Sequence, residues 1–462
     1  MAARLSAGRE LRQGGSLPEN TSGGSKLSGE LLWIMSGQLL AGAGAILSVK
    51  WLSRSMPPAQ YGIFGLALTA SMLVQQTVAG PIAMAGNRYF TAAKEHADEA
   101  SYLKGLVILS ARAIIGMLAI ALLSAFGLAA SGRRELVLPG CAAGLYAVLY
   151  SASIIIEAVN TGARQRAVVA LHQALTQWGR GGIAFLSLRW LGANAEQALA
   201  GYCLATLLIL PSQTWFASRA LAQTQPVVQP GGTPINAALL LRFAWPFASW
   251  GLVCWMQMAS DRWFLALFRG PESAAGFTVV YQLGYYPITL VSAAISSLVM
   301  PILYQRAGIG SDPKRLAEAF ALNGVHIASL FLIGSLILVG AGAFHHLLFG
   351  IMTSARYFSL SPLLWMFVVS STLFAIGQAL SLTFMIRGDT DSMLVPKILT
   401  ALAGTVFNMA GAYWFGVGGA AVATFLFSSL YLASVIFTMK KAGLAVFTSP
   451  RAMLSALRGM PV

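Results

Sequence analysis

Apolar residues fall in twelve continuous runs, at approximately 31–53, 61–86, 105–130, 136–158, 167–190, 198–220, 243–267, 276–303, 319–343, 360–385, 397–415 and 418–438. At ~1.5 Å of rise per residue, a helical run of about 20 residues spans the ~30 Å of bilayer hydrocarbon. The short alternating segments of an outer-membrane barrel are missing from this pattern. The runs predict an all-α polytopic membrane protein with about twelve transmembrane helices. One segment, 221–241, breaks the rhythm with Pro226, Pro230, Gly231, Gly232 and Pro234. Such residues stop helices and favour an extended connector. It divides the runs six and six. The expected organisation is a six-helix bundle over 31–220, a linker over 221–241 and a second bundle over 242–440. Residues 1–30 are Gly/Ser-rich and read as a disordered tail. Residues 441–462 form a second tail, in which Arg451 and Arg458 among apolar positions suggest an amphipathic helix on the membrane surface.

The halves echo one another. Pro58 precedes Gly62-Ile-Phe64 after the first run, and Pro271 precedes Gly276-Phe277 after the seventh. Transporters are often built from such repeats, with the substrate site between them near the midplane.

Composition agrees. Hydrophobic residues make up 57% of the 462 positions and charged residues 10%, against about 25% charged in a soluble domain. This excludes a cytosolic enzyme, a secreted disulfide scaffold and a disordered protein. Cys141, Cys203 and Cys254 lie singly in apolar runs, and the five histidines show no metal-ligand spacing. No cofactor is implied. The net charge of +15 would suggest nucleic acid in a soluble protein, but here it sits mostly in loops between apolar runs. With the N-terminus inside, 20 Lys and Arg fall on the inner segments and 7 on the outer ones. The positive-inside rule then places both termini in the cytoplasm.

Three stretches resemble a known family. "PPAQYGIFGLALTASMLVQQTVAGPIAMAGNRYF" (57–90) is similar to the second helix of polysaccharide exporters in the multidrug/oligosaccharidyl-lipid/polysaccharide (MOP) flippase superfamily, with Tyr61-Gly62 at its start and Arg88-Tyr89 at its end. Residues 259–305, with Asp261-Arg262, Gly276-Phe277 and Pro301, resemble the seventh and eighth helices. Residues 387–432, with Gly388-Asp389-Thr390, Asn408 and Gly418-Gly419-Ala420-Ala421, resemble the tenth-to-twelfth region. The resemblance implies two six-helix bundles around a central cavity, as in multidrug (MATE-like) transporters. For its polysaccharide (Wzx-type) branch it implies flipping of undecaprenyl-pyrophosphate-linked oligosaccharides across the bacterial inner membrane. The implied partners are that lipid-linked glycan and the polymerase and export machinery of O-antigen, capsule or exopolysaccharide assembly.

A lipid-linked sugar demands a wet cavity with cations at membrane depth, because its pyrophosphate is the costliest group to move. An Arg inside a span costs at least about 2.5–3.5 kcal/mol on insertion scales, so it normally faces a cavity or a partner. Arg262 is the first candidate. Asp261 beside it points about 100° away on a helix, so the two are expected to face different surroundings. Arg112 offers an anion contact, against the simpler account of a side chain snorkelling to the interface. Arg180, in Trp178-Gly-Arg-Gly-Gly182, combines a cation with glycines that permit close helix contact. Arg88 is placed to meet the pyrophosphate at the inner side, or merely marks topology. Lys50 and Arg54 lie near the outer end of the first run and suit release. Glu157 could carry a coupling proton. Trp245, Trp250, Trp255 and Trp263 crowd the seventh run, where they suit sugar rings or ordinary packing.

Three other readings compete, one of them a structural membrane component or assembly partner without transport, whose function would survive neutralisation of the embedded arginines. A drug or cation antiporter of the same superfamily needs acidic cavity groups, yet the embedded ionisable residues are mainly Arg. A membrane enzyme needs a large outer loop, and the longest here, 344–359, holds little beyond His345, His346 and Arg356.

Overall fold

The structure, a computed structural model, describes residues 22–95, 98–222, 235–307, 312–387, 389, 391–445 and 449–458. These residues are helical throughout apart from short turns. The first half comprises α1 (Ser22–Ser55), α2 (Pro58–Val74), α3 (Gly80–Glu95), α4 (Glu99–Ala130), α5 (Val137–Gly162), α6 (Arg166–Trp190) and α7 (Ala195–Ala222). The second comprises α8 (Ala237–Arg269), α9 (Pro271–Gly284), α10 (Tyr286–Ala307), α11 (Pro313–Met352), α12 (Leu364–Arg387) and α13 (Leu394–Lys441), followed by the short α14 (Pro450–Arg458).

Several predicted runs are interrupted for readable reasons. The second is split by a π turn, Gln75–Ala79, just before Gly80-Pro81. Pro81 lacks the N–H its helix needs, so the helix widens there. Gly251 of α8 packs against the Gln76 backbone of this turn. The eighth run breaks between α9 and α10 beside Pro287, for the same reason. The last two runs form one unit, α13, with Gly416 at φ +60° between them. That left-handed conformation is one glycine adopts without a Cβ clash.

Among the described residues, nine helical stretches are long and apolar enough to cross a membrane. One of these, 394–441, holds two traverses separated by Gly416. Two more long helices, α1 and α6, stand outside these nine but pack against each other in the same bundle. The chain thus folds as twelve traverses in two six-helix bundles around a central cavity.

α1 begins at Ser22, inside the stretch read as a tail, whereas residues 1–21 lie outside the described residues. Most of the linker, 223–234, lies outside them too, as do Gly388 and Thr390. The expected amphipathic helix is represented by α14, whose Ala452 packs on the cluster of Leu303, Ala319 and Leu322 from α10 and α11.

Alternation of the helices puts the starts of α4, α6, α8 and α11 on one side, where most of the loop Lys and Arg gather. We call this the basic side. The halves meet on both sides. On the basic side, the Asp98 carboxylate accepts from the Ile235 N–H at 2.8 Å, and Arg88 lies over the Phe243 ring at 5.0 Å. On the opposite side α2 and α9 pack so closely that a Cβ at Gly62 would strike the Pro271 carbonyl.

Candidate functional site

The central cavity has a volume of about 320 Å³, at the lower end of the range for ligand sites. Its floor is α1 and α6, which approach closely because a Cβ at Gly181 would strike Ser48. Tyr61 and Gln75 enter from α2 and the π turn, Tyr146 and Tyr150 from α5, and Tyr202 from α7. The second half contributes Gln282 and Tyr286 from α9 and α10. Five tyrosines, three amides and one guanidinium, that of Arg180, therefore share one space. Among the described residues no carboxylate lines it.

Arg180 lies about 15 Å from the far end of α6 at 1.5 Å per residue, close to the middle of that helix. It is 5% exposed. Its guanidinium carbon sits 3.8 Å from the centre of the Tyr150 ring and 5.3 Å from that of Tyr146. Those two rings are stacked, 5.6 Å apart with planes 6° from parallel. Tyr146 and Tyr150 are spaced i, i+4, so one helix face carries both. Nη1 of Arg180 donates to Gln177 Oε1 at 3.4 Å. Its Nε and Nη2 are buried without a hydrogen-bond partner. Among the described residues no carboxylate lies within ion-pair distance of it. Buried donors without a partner are costly, and these two are placed to receive an anion.

Arg262 is also buried, at 6% exposure, but is differently placed. It does not line the cavity. The expectation that Asp261 and Arg262 face apart is corrected: Arg262 Nη1 meets Asp261 Oδ1 at 3.2 Å and donates to the Met258 carbonyl at 2.7 Å. The Cβ atoms do diverge, but the long Arg arm folds back along α8. Asp261 Oδ1 also accepts the Arg262 backbone N–H at 2.6 Å. Arg262 covers the ring of Tyr281 at 4.3 Å. Asp261 lines a second, narrow cleft of about 20 Å³ with Gln257, Asn408 and Thr424, room for one water or small ion and not a sugar. Asn408 Oδ1 is buried there without a partner.

The other candidates lie elsewhere. Arg112 is exposed on α4, in the same stretch as Val107 and Ile115, away from the cavity. Arg88 is exposed at the basic side over Phe243. Glu157 accepts from Gln173 Nε2 at 2.7 Å, on the α6 face that continues through Gln177 to Arg180. Trp255 and Trp263 donate to the Thr69 carbonyl and hydroxyl at 2.6 and 3.0 Å, so they tie α8 to α2 as packing. Of the residues singled out in sequence, the cavity gathers Arg180 and Tyr61. Sequence reasoning overlooked Tyr146, Tyr150, Tyr202, Tyr286 and Gln177. The available signal was the i, i+4, i+7 spacing of Gln173, Gln177 and Arg180 facing the i, i+4 tyrosines.

The opposite-side mouth is shut. Tyr61 donates to Gln282 Oε1 at 3.0 Å and its ring lies 6.4 Å from that of Tyr357. Arg54 of the first half donates to the Gly350, Ile351 and Thr353 carbonyls at 2.7, 3.0 and 3.0 Å, capping α11 of the second. Among the described residues no group of three His, Cys, Asp or Glu could hold a metal ion.

The family described as "Polysaccharide biosynthesis protein" matches residues 29–306, well over half of the chain. The chain belongs to this family. Solved structures of the MOP superfamily share its fold. A structure described as lipid II flippase MurJ in an inward closed conformation matches with TM-score 0.66 at 13% identity, covering 92% of this chain and 91% of that one. An outward-facing multidrug resistance MATE family transporter matches with TM-score 0.64 at 14% identity, covering 91% and 96%. No curated protein matches the sequence. This polysaccharide-biosynthesis protein is thus a multi-pass membrane protein that shares the fold of those structures.

Proposed function

We propose that this protein flips undecaprenyl-pyrophosphate-linked oligosaccharides across the bacterial inner membrane by alternating access, with both termini cytoplasmic. The observation that carries this reading is Arg180, a guanidinium near the middle of α6 with two buried donors unfilled, in a cavity walled by tyrosines. Arg binds phosphate through such forks of N–H groups. Tyrosine faces suit sugar rings while their hydroxyls reach sugar hydroxyls. The lipid tail stays in the bilayer. Arg88 supplies an earlier contact on the basic side. Polymerase and export machinery would take the flipped unit. A drug or cation antiporter fits less well, because a cationic substrate would meet Arg180 and, among the described residues, no carboxylate in this cavity.

The test is flipping of a fluorescent undecaprenyl-pyrophosphate-linked glycan in proteoliposomes, wild type against Arg180→Gln at equal insertion. Flipping that depends on the protein and falls in the variant is the expected result. Folded wild-type protein that flips none of several glycans would overturn the reading. A variant as fast as wild type would remove the anion site from Arg180 and leave the flippase assignment.

A further inference from the structure

A second cationic hollow lies away from the cavity, at the start of α6 on the basic side. It measures about 430 Å³ and is lined by Arg164, Arg166 and Arg219, with Gln165, Ala167 and Val168 at its base and Trp33 and Phe216 as walls. Arg164 from the α5–α6 turn and Arg219 from α7 thus converge on it beside Arg166, and among the described residues no carboxylate lines the hollow. Two features of the turn add to this. Arg164 adopts a left-handed φ of +57°, alone among the described non-glycine residues. Such a conformation persists where the surroundings over-determine it. The start of α6 has no side-chain cap: Gln165 stands at the cap position and its Oε1 is buried with no partner. The Arg166 N–H is taken by the Arg164 carbonyl at 2.9 Å, and the start of α6 adds the positive end of the helix dipole to these charges.

The surroundings identify what kind of anion fits. Trp33 and Trp215 are 52% and 50% exposed beside the hollow, and Arg219 covers the Trp215 ring at 4.6 Å. Exposed Trp at this level is an interfacial anchor. About 10–15 Å further into the membrane, at 1.5 Å per residue, Leu39 and Leu40 of α1 and Leu207 and Leu208 of α7 are exposed. Charge at headgroup level with apolar surface above it is the profile of a lipid molecule, and basic pockets between helices on this side take anionic headgroups. We infer that the hollow between the start of α6 and the facing ends of α1 and α7 is a specific site for the phosphate headgroup of an anionic glycerophospholipid. Its acyl chains lie along the exposed leucines of α1 and α7, and its glycerol hydroxyl reaches Gln165. The site is separate from the Arg180 cavity and does not depend on the flippase reading.

The test is native mass spectrometry of the purified full chain in detergent, titrated with phosphatidylglycerol, with cardiolipin and with phosphatidylcholine. Wild type is compared with Arg164→Gln/Arg219→Gln and, as a charge control, Arg133→Gln/Arg134→Gln on the opposite side. Matched melting temperatures confirm that each variant is folded. Arg164→Lys/Arg219→Lys provides a second variant that keeps the charge. The expected result is retention of one anionic lipid by wild type and by the control, no retention of phosphatidylcholine, and at least a fivefold loss of anionic-lipid occupancy in the Gln pair. Partial recovery is expected in the Lys pair. Adding undecaprenyl pyrophosphate separates the two sources of lipid phosphate: failure to displace the bound lipid supports a phospholipid site, and stoichiometric displacement overturns it in favour of the substrate headgroup. Equal occupancy in wild type and the Gln pair, or equal retention of phosphatidylcholine, overturns the site altogether.

Discussion

Arg180 and Arg262 share several features. Each lies in a membrane span, each is almost fully buried, and each covers the face of a tyrosine. They differ in their neighbours. Arg262 is neutralised by Asp261 and hydrogen-bonded along its own helix, and it stands outside the cavity. Arg180 has aromatic faces and one amide, with two donors left over. Burial therefore does not make a binding cation; an unfilled donor set inside a cavity does. One arginine holds the second bundle together, and the other is available to a ligand.

The largest expected effect breaks the paired side of this comparison. Arg262→Gln strands a buried carboxylate, which typically costs about 3–5 kcal/mol, whereas removing both charges of such a pair is often near neutral. The melting temperature should drop sharply in Arg262→Gln and recover in Asp261→Asn/Arg262→Gln. Similar melting of single and double variants would mean the pair is solvated. Next comes Arg180→Gln. Loss of a charged hydrogen-bond donor to the substrate removes about 1.5–3 kcal/mol, or roughly 10- to 150-fold in flipping, with little change in melting. A collapse of stability instead would put Arg180 in the same structural class as Arg262. Tyr150→Leu sharpens the contrast further. Cation–π contacts are worth about 0.5–2 kcal/mol, so flipping should slow by roughly 2- to 30-fold, most for substrates whose sugar reaches the cavity. The smallest effect concerns closure. Arg54 bridges the halves through exposed contacts that are each worth little, so Arg54→Ala should raise access from the opposite side by no more than about fivefold. Labelling of Tyr61→Cys by an impermeant maleimide reads this, in a chain whose Cys141, Cys203 and Cys254 are replaced. Unchanged labelling would mean that the remaining contacts, Gly62 against Pro271 among them, suffice for closure without Arg54.

Arg54 and Arg269 offer a second contrast of the same kind. Both are arginines at the opposite-side end of a half's first helix, and both cap carbonyls. Arg269 donates to Tyr413 and Trp414 at 2.7 and 3.0 Å within its own half, where Gly416 interrupts α13. Arg54 caps a helix of the other half. Neither role is visible from position in a run.

What the sequence determined by itself is a property of the chain read in one dimension. A run of about 20 apolar residues must be a membrane span, because its backbone polar groups have no water to meet and must pair within the helix. The twelve traverses, the gap at Gly416 between the last two runs and the family resemblance at Tyr61-Gly62 and Asp261-Arg262 were therefore legible. What only the tertiary structure decided is which face of each helix looks into the cavity. In a membrane the lipid-facing and bundle-facing sides are both apolar, so the amphipathic signal that marks a core face in water is absent. Tyr150 and Trp255 look equivalent in sequence, yet one lies over Arg180 and the other is tied to Thr69. The freedom of Arg180 and the pairing of Arg262 likewise follow from what each flexible guanidinium reaches in three dimensions, which no spacing along the chain contains.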